Sequence, residues 1–212
     1  MDERDRLALI ARYESRLARH GRTPEALGWG KSGKQEIRFA VLAAAAIAQP
    51  ESSVLDVGCG FADLYDFLVA HGWRGRYTGV DLVPGLLEVA RDRHPQLELR
   101  ELDITTAQLG AHDFVIGSGI ANTALQHVDE LAHVETLIAA MFAHANAMVA
   151  IDFLSTWVDF IREGAWHTDP AWALATAHKL TRRVALRHDY LPYEFALFLR
   201  RDDGIGEGNT FA

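Results

Sequence analysis

The stretch SVLDVGCGFADL, residues 53–64, runs from an apolar, β-branched segment through two glycines into the start of a helical pattern. A strand that turns into a helix through glycines is the first crossover of a doubly wound sheet. There the backbone can approach a ligand closely and the free amides of the helix N-terminus face it. Gly58 and Gly60 fit that role, with Cys59 between them. The dinucleotide fingerprint G-x-G-x-x-G/A needs a small residue at its sixth place, but that place is Asp63 here, and Asp56 precedes the first glycine. Two carboxylates repel a diphosphate and suit a ligand that carries positive charge.

The pattern on either side supports a sheet. Residues 53–57, 76–80, 97–102, 113–116 and 147–153 are short apolar or β-branched runs, and helical stretches over 61–71, 84–93 and 128–144 lie among them. Strand and helix in alternation predict a parallel sheet covered on both faces. Upstream, residues 4–19 place Leu7, Ile10 or Ala11, Glu14 and Leu17 on one helical stripe, with arginines on the other face. Residues 34–49 have helical composition up to Pro50. Downstream, 156–163 and 170–179 read as helices, 181–187 and 193–200 as a closing antiparallel hairpin, and the glycine-containing 202–212 as a mobile tail. The expected organisation is one domain: a helical cap (1–50), a nucleotide-type core (51–201) and the tail.

The ends of the later strands carry groups that complement an adenosyl ligand. Asp81 follows Gly58 by 23 positions, close to where a ribose-binding carboxylate is expected. Asp103 ends the third strand where an adenine amino group could donate to it, and Leu82 and Ile104 could sandwich the ring. S-adenosylmethionine has the required character: an ammonium, a sulfonium and no phosphate. With V-L-D-V-G-C-G, G-V-D-L, L-D-I and D-F-V-I-G-S-G in this order over residues 52–153, the sequence resembles the class I S-adenosylmethionine-dependent methyltransferases. More loosely, A-L-G-W-G, Q-E-I-R-F and D-Y-L-P-Y-E-F resemble a bacterial subgroup of small stand-alone members. The resemblance implies a Rossmann-like α/β/α sandwich whose seven-stranded sheet is mostly parallel with an antiparallel last strand. It also implies that Gly58 and Gly60 pack against the methionine moiety and that Asp56 or Asp63 holds its amino group. Asp81 would take the ribose, Asp103 and Ile104 the adenine, and the Ser118 carbonyl would lie near the sulfonium. Arg38 is preferred to Lys31 and Lys34 as the cation for the cofactor's carboxylate, and Tyr13 and Trp29 are placed to help form a lid. Ala62 stands where many members have a third glycine, at little expected cost.

Composition narrows the partners. With 21 basic and 29 acidic residues, the formal charge is −8, which argues against a general affinity for nucleic acid or anionic membrane. The single cysteine excludes an internal disulfide, and the charged first residues do not open a signal peptide, so a cytoplasmic protein is expected, as monomer or homodimer. No apolar run is long enough to span a bilayer. Ten histidines without ligand spacing predict no metal. The Asn/Asp-Pro-Pro-Tyr/Phe motif of nucleic-acid amino-methyltransferases is absent, which favours a small-molecule acceptor. The runs Trp157, Phe160, Trp166, Trp172 and Tyr190, Tyr193, Phe195 could line its pocket. Methyl transfer needs no protein nucleophile, and a general base only for a protonated acceptor. Asn122, His127 and Tyr193 are the leading candidates, with His167 and Tyr190 behind them. Two other readings stand beside this one: a non-catalytic cofactor- or partner-binding domain, and a nicotinamide-dependent oxidoreductase.

Overall fold

In the computed structural model, which describes residues 1–29 and 34–201, one seven-stranded sheet has the order β3-β2-β1-β4-β5-β7-β6. The strands are β1 Val54–Val57, β2 Tyr77–Asp81, β3 Glu98–Glu101, β4 His112–Gly117, β5 Ala145–Leu154, β6 Val184–Leu191 and β7 Glu194–Arg200. Pairing is parallel from β3 through β5, and β7 runs antiparallel to both of its neighbours. The helices are α1 Glu3–His20, α2 Lys34–Leu42, α3 Ala44–Ile47, α4 Asp63–Ala70, α5 Pro84–Arg93, α6 Glu130–Ala143 and α7 Pro170–His178. The strand order reverses between β1 and β4, so their carboxyl ends open a crevice of the kind in which doubly wound sheets bind ligands.

The central strands are buried on both faces, which explains their near-continuous apolar runs. Alternate residues go to opposite layers. Leu55, Val57, Val115, Val149 and Ile151 pack under α6 and α7 through Ile138, Met141 and Ala173. Val54, Phe114, Ile116 and Ala150 pack under α2 and α4 through Phe39, Leu42, Leu64 and Leu68. The edge strand β3 is largely exposed and carries Glu98, Arg100 and Glu101, charges that discourage edge-to-edge pairing.

Three expectations need correction. The segment 156–163 is not a helix. It is an irregular loop held by isolated bridges, Ser155 with Thr168 and Thr123 with Ala165. Trp157, Phe160 and Ile161 stay exposed, so no apolar stripe is buried to stabilise helical turns. The helix read over 34–49 breaks at Ala43 into α2 and α3. On α1, Leu9, Ile10, Tyr13 and Leu17 pack with Phe61, Val83 and Leu86, while Leu7 is 54% exposed and Asp5 is buried. Asp5 accepts from the Gln126 and His127 amides at 2.9 and 3.0 Å, which ties α1 to the loop after β4. Lys31, weighed beside Arg38 and Lys34, lies outside the described residues, as does the segment 202–212. Among the described residues, no helix is long and apolar enough to cross a membrane.

Candidate active site

A cavity of about 520 Å³ opens over the carboxyl ends of β1, β2, β4 and β5, within the size range of small-molecule sites. Its floor is the turn after β1. Gly58 and Gly60 have φ of 71° and 54°, the left-handed region where glycine carries no steric cost. A side chain at Gly60 would come within 2.9 Å of Leu27, and one at Gly58 would collide with Ile120. Ala62 also has a positive φ, 60°. Its alanine therefore costs about 1–2 kcal/mol, more than expected from a helix start.

Asp81 stabilises this turn. Its two oxygens accept from the Gly60 amide at 2.8 Å and the Val83 amide at 2.9 Å. Burial pushes its carboxyl up, against those two hydrogen bonds, which favour the anion. Asp56 is buried in β1 and accepts from the Tyr77 hydroxyl at 2.6 Å. Burial pushes its carboxyl up to about 7, the Tyr77 hydrogen bond opposing. Burial likewise lifts the Cys59 thiol well above its usual range, so Cys59 is a packed wall residue rather than a reactive thiol.

The state of Asp56 gives a pH prediction. In the unfolded chain its carboxyl titrates near 3.8 and in the folded chain near 7. The folded state therefore holds the proton more tightly, and the stability this brings is lost as pH rises from about 4 through 7. Asp56→Asn removes that titration and keeps an acceptor for Tyr77. Relative to wild type, the variant is expected to gain stability between pH 4 and pH 8 by up to roughly 4 kcal/mol. Urea denaturation across that range checks this, and parallel pH curves for the two proteins would contradict it.

The other expected site residues are distributed unevenly. Leu82, Asp103, Ile104 and Ser118 line the cavity. Asp103 accepts from the Thr105 amide and hydroxyl at 2.9 and 2.7 Å. Burial works to raise it, but these bonds and the nearby Met1 ammonium hold it below the usual carboxylate range. The Ser118 hydroxyl donates to Asp152 at 2.8 Å, and the Gly119 amide donates to the other Asp152 oxygen at 2.6 Å. Burial pushes the Asp152 carboxyl up to about 6, even with Arg38 nearby. Asp63 lies at the rim, where it accepts from Gln35 at 3.2 Å and from Arg93 at 2.6 Å. Arg38 is buried and already committed: its guanidinium grips Glu194 bidentately, stacks 4.4 Å above the Trp29 ring and lies 4.0 Å from Asp152.

Among the proposed bases, Asn122 lines the cavity, but its side-chain oxygen accepts from the Leu154 amide at 2.8 Å. Tyr193 also lines it, and Lys34 donates to its hydroxyl and sits over its ring. His127 is exposed on the loop before α6 and is not brought to the cavity. His167 reaches the wall with both nitrogens engaged, one by the Ser155 carbonyl and one by the Arg162 amide. Of the aromatic runs, Phe160 and Tyr193 line the cavity, Phe195 is core, Trp157 is surface, and Trp166 and Trp172, the latter within α7, are partly buried against the core on the α6 side of the sheet. Among the described residues, no group of three His, Cys, Asp or Glu converges to hold a metal.

Sequence reasoning missed Asp5, Asp152 and Glu194, whose partners lie 121, 33 and 156 positions away, beyond any local pattern. It also placed the α1 arginines on an outer face, whereas Arg12 and Arg16 line the cavity mouth beside Tyr13. Trp29, from the same cap, lies within 2.6 Å of where a Gly119 side chain would begin.

Residues 54–146 match the family model described as a methyltransferase domain. A Mycobacterium tuberculosis protein, Rv1506c, provisionally named a methyltransferase, is 29% identical over 155 residues, covering 70% of this chain and 93% of that one. The magnesium protoporphyrin IX methyltransferase of Synechocystis PCC 6803, solved with bound S-adenosylhomocysteine, superposes with a TM-score of 0.70 at 16% identity, covering 93% of this chain and 100% of that one. The amino pentose methyltransferase CalS10 of Micromonospora echinaspora, solved with S-adenosylmethionine, gives 0.62 at 19%, covering 82% and 93%. At these identities the structural likenesses are likenesses of fold.

Proposed function

We infer that this chain is a class I S-adenosylmethionine-dependent methyltransferase, that it binds S-adenosylmethionine in the cavity over β1 and β2, and that it transfers its methyl group to an O, N or C nucleophile of a small molecule. The observation that carries the reading is the charge and shape of that floor: two left-handed glycines, with the carboxyls of Asp56, Asp63 and Asp81 around them, a setting that repels a diphosphate. Asp81 takes the ribose hydroxyls, Leu82, Asp103 and Ile104 face the adenine, and Ser118, held by Asp152, presents its carbonyl towards the sulfonium. Gly58, Cys59 and Gly60 form the wall beside the methionine moiety. Arg38, spent on Glu194, enters this reading as a wall residue and not as a free cation. Residues 1–50 form the cap and 51–201 the core, in a cytoplasmic protein.

In the transfer, the bond from sulfur to methyl breaks as the bond from nucleophile to methyl forms, and the electron pair of the broken bond stays on sulfur, which leaves as a neutral thioether. The protein supplies alignment and exclusion of water, an effect that can be worth about 7–11 kcal/mol of the barrier. The occupied state of Asn122 and Tyr193 fits an acceptor that needs little help from a base. The same observation keeps a second reading in view, a binding domain without turnover.

Calorimetric titration with S-adenosylmethionine, S-adenosylhomocysteine and NADH tests the proposal. Micromolar binding of the two sulfur ligands with no heat from NADH is expected. Preference for NADH, or no heat from any of them, would overturn it. Binding without turnover on any acceptor would select the second reading.

A further inference from the structure

We propose that the methyl acceptor is a small organic anion whose carboxylate or phosphate is held at the cavity mouth by Arg12, Arg16 and Arg162, with its apolar body against Phe160 and Tyr193. This rests on the methyltransferase reading of the same site and adds the chemical class of its second substrate.

The three guanidiniums reach the mouth from two separate parts of the chain. Arg12 and Arg16 lie one turn apart on α1, and Arg162 comes from the irregular loop after β5. Arg12 reaches across to the Gly164 carbonyl at 3.5 Å, which brings the two elements together at this point. Arg16 is half-buried and donates to the Ala26 and Glu25 carbonyls at 3.2 and 2.6 Å. All of these partners are neutral carbonyls, which orient the groups without cancelling their charge.

Other cations in and around the site are already engaged. Arg38 is neutralised by Glu194 and the Met1 ammonium by Asp103, while Lys34 is engaged by the Tyr193 hydroxyl and ring; Arg93, beside the lining residue Asp63, is neutralised by Asp63 and Asp66. Among the carboxylates of the cavity, Asp56, Asp81 and Asp103 are occupied by Tyr77, by backbone amides and by Thr105. Glu163, exposed and next to Arg162, is a further acid of the lining. Like charges four residues apart on a helix disfavour that helix. Here Arg16 is destabilised as a cation, first by burial and also by Arg12 and Arg162. In a chain of net charge −8, with 29 acids available to pair with 21 bases, a converging basic trio fits a ligand that brings the missing negative charge. Guanidinium forks hold carboxylate or phosphate in a fixed orientation, which is what an in-line transfer requires of its acceptor. Tyr13 stands between the two α1 arginines. Burial raises its phenol, so it stays protonated as a further donor. The cavity is thus polarised, with acids around the glycine turn for a cationic cofactor and arginines at the mouth for an anionic acceptor.

The anion could instead be the carboxylate of the cofactor itself, and the test separates the two. Benzoate and phenyl phosphate, with benzyl alcohol as the neutral comparison, are titrated into the protein saturated with S-adenosylhomocysteine. Wild type and the Arg12→Gln, Arg162→Gln double variant are compared. Both positions are exposed, so folding is preserved, and thermal melts check it. The anions are expected to bind at least about tenfold tighter than the alcohol. The double variant should lose that preference while its affinity for S-adenosylhomocysteine stays within about twofold. Equal binding of the alcohol, no binding of either anion, or a preference that survives in the variant would overturn the proposal. A variant that binds S-adenosylhomocysteine poorly would overturn it too, by assigning the cluster to the cofactor's carboxylate. Failure of wild type to bind S-adenosylhomocysteine at all would remove the underlying reading instead.

Discussion

Asp81→Ala is expected to abolish measurable binding of S-adenosylhomocysteine and to lower the melting temperature by roughly 5–15 °C. The two effects have one origin. The carboxylate accepts from the Gly60 and Val83 amides inside the protein, so removing it leaves two buried donors without partners. Each orphaned donor costs about 1–3 kcal/mol. The Gly60 amide belongs to the turn that shapes the cavity floor, so the loss frees the turn as well as removing the proposed ribose acceptor. An affinity loss of at least about a hundredfold follows if the ribose contact and the turn both fail. Asp81→Asn, which keeps one carbonyl oxygen, should recover part of the stability and less of the binding. Titration at 15 °C, far below both melting points, separates lost affinity from unfolding. An alanine variant that binds and melts like wild type would remove Asp81 from the site.

The second large effect is expected at Arg38 and Glu194. Arg38 from α2 grips Glu194 at the start of β7 where both are buried, and Asp152 lies 4.0 Å from the same guanidinium. A buried ion pair contributes little net stability, because desolvation offsets attraction, but breaking it strands a charge. Arg38→Ala leaves two buried carboxyls facing each other and removes the cation stacked on Trp29. The expected cost is about 3–5 kcal/mol. The double replacement Arg38→Met, Glu194→Leu removes both charges and should lie within about 2 kcal/mol of wild type. Urea denaturation of the four proteins of the cycle measures the coupling. If Arg38→Ala alone falls within about 1 kcal/mol of wild type, the pair is solvated and does not fasten the cap.

The central sheet was legible because its strands are buried on both faces, so their apolar runs stand out against the glycines and charged helix faces between them. The glycine turn was legible because its backbone needs positive φ at Gly58 and Gly60 within three residues. Ala62 shows the limit of that rule, since an alanine occupies a left-handed position and is paid for by core burial. The loop 156–163 misled because its composition suits a helix while its aromatic and aliphatic side chains, Trp157, Phe160 and Ile161, find no layer to pack against. Leu7 misled for the opposite reason: the stripe on α1 that packs against α5 is turned towards Leu9, Tyr13 and Leu17.

By itself the sequence determined the class of sheet, the place of the crevice and the acidic character of its floor, because those depend on periodicities of two and 3.6 residues and on short motifs. Only the tertiary structure decided which charges are spent and which remain available. Arg38 is consumed by a glutamate 156 positions away, while Arg12 and Arg16 are held by neutral backbone carbonyls and line the same cavity as Arg162. Coulomb interactions depend on separation in space and on the dielectric around each group, and neither is encoded in any local stretch of chain.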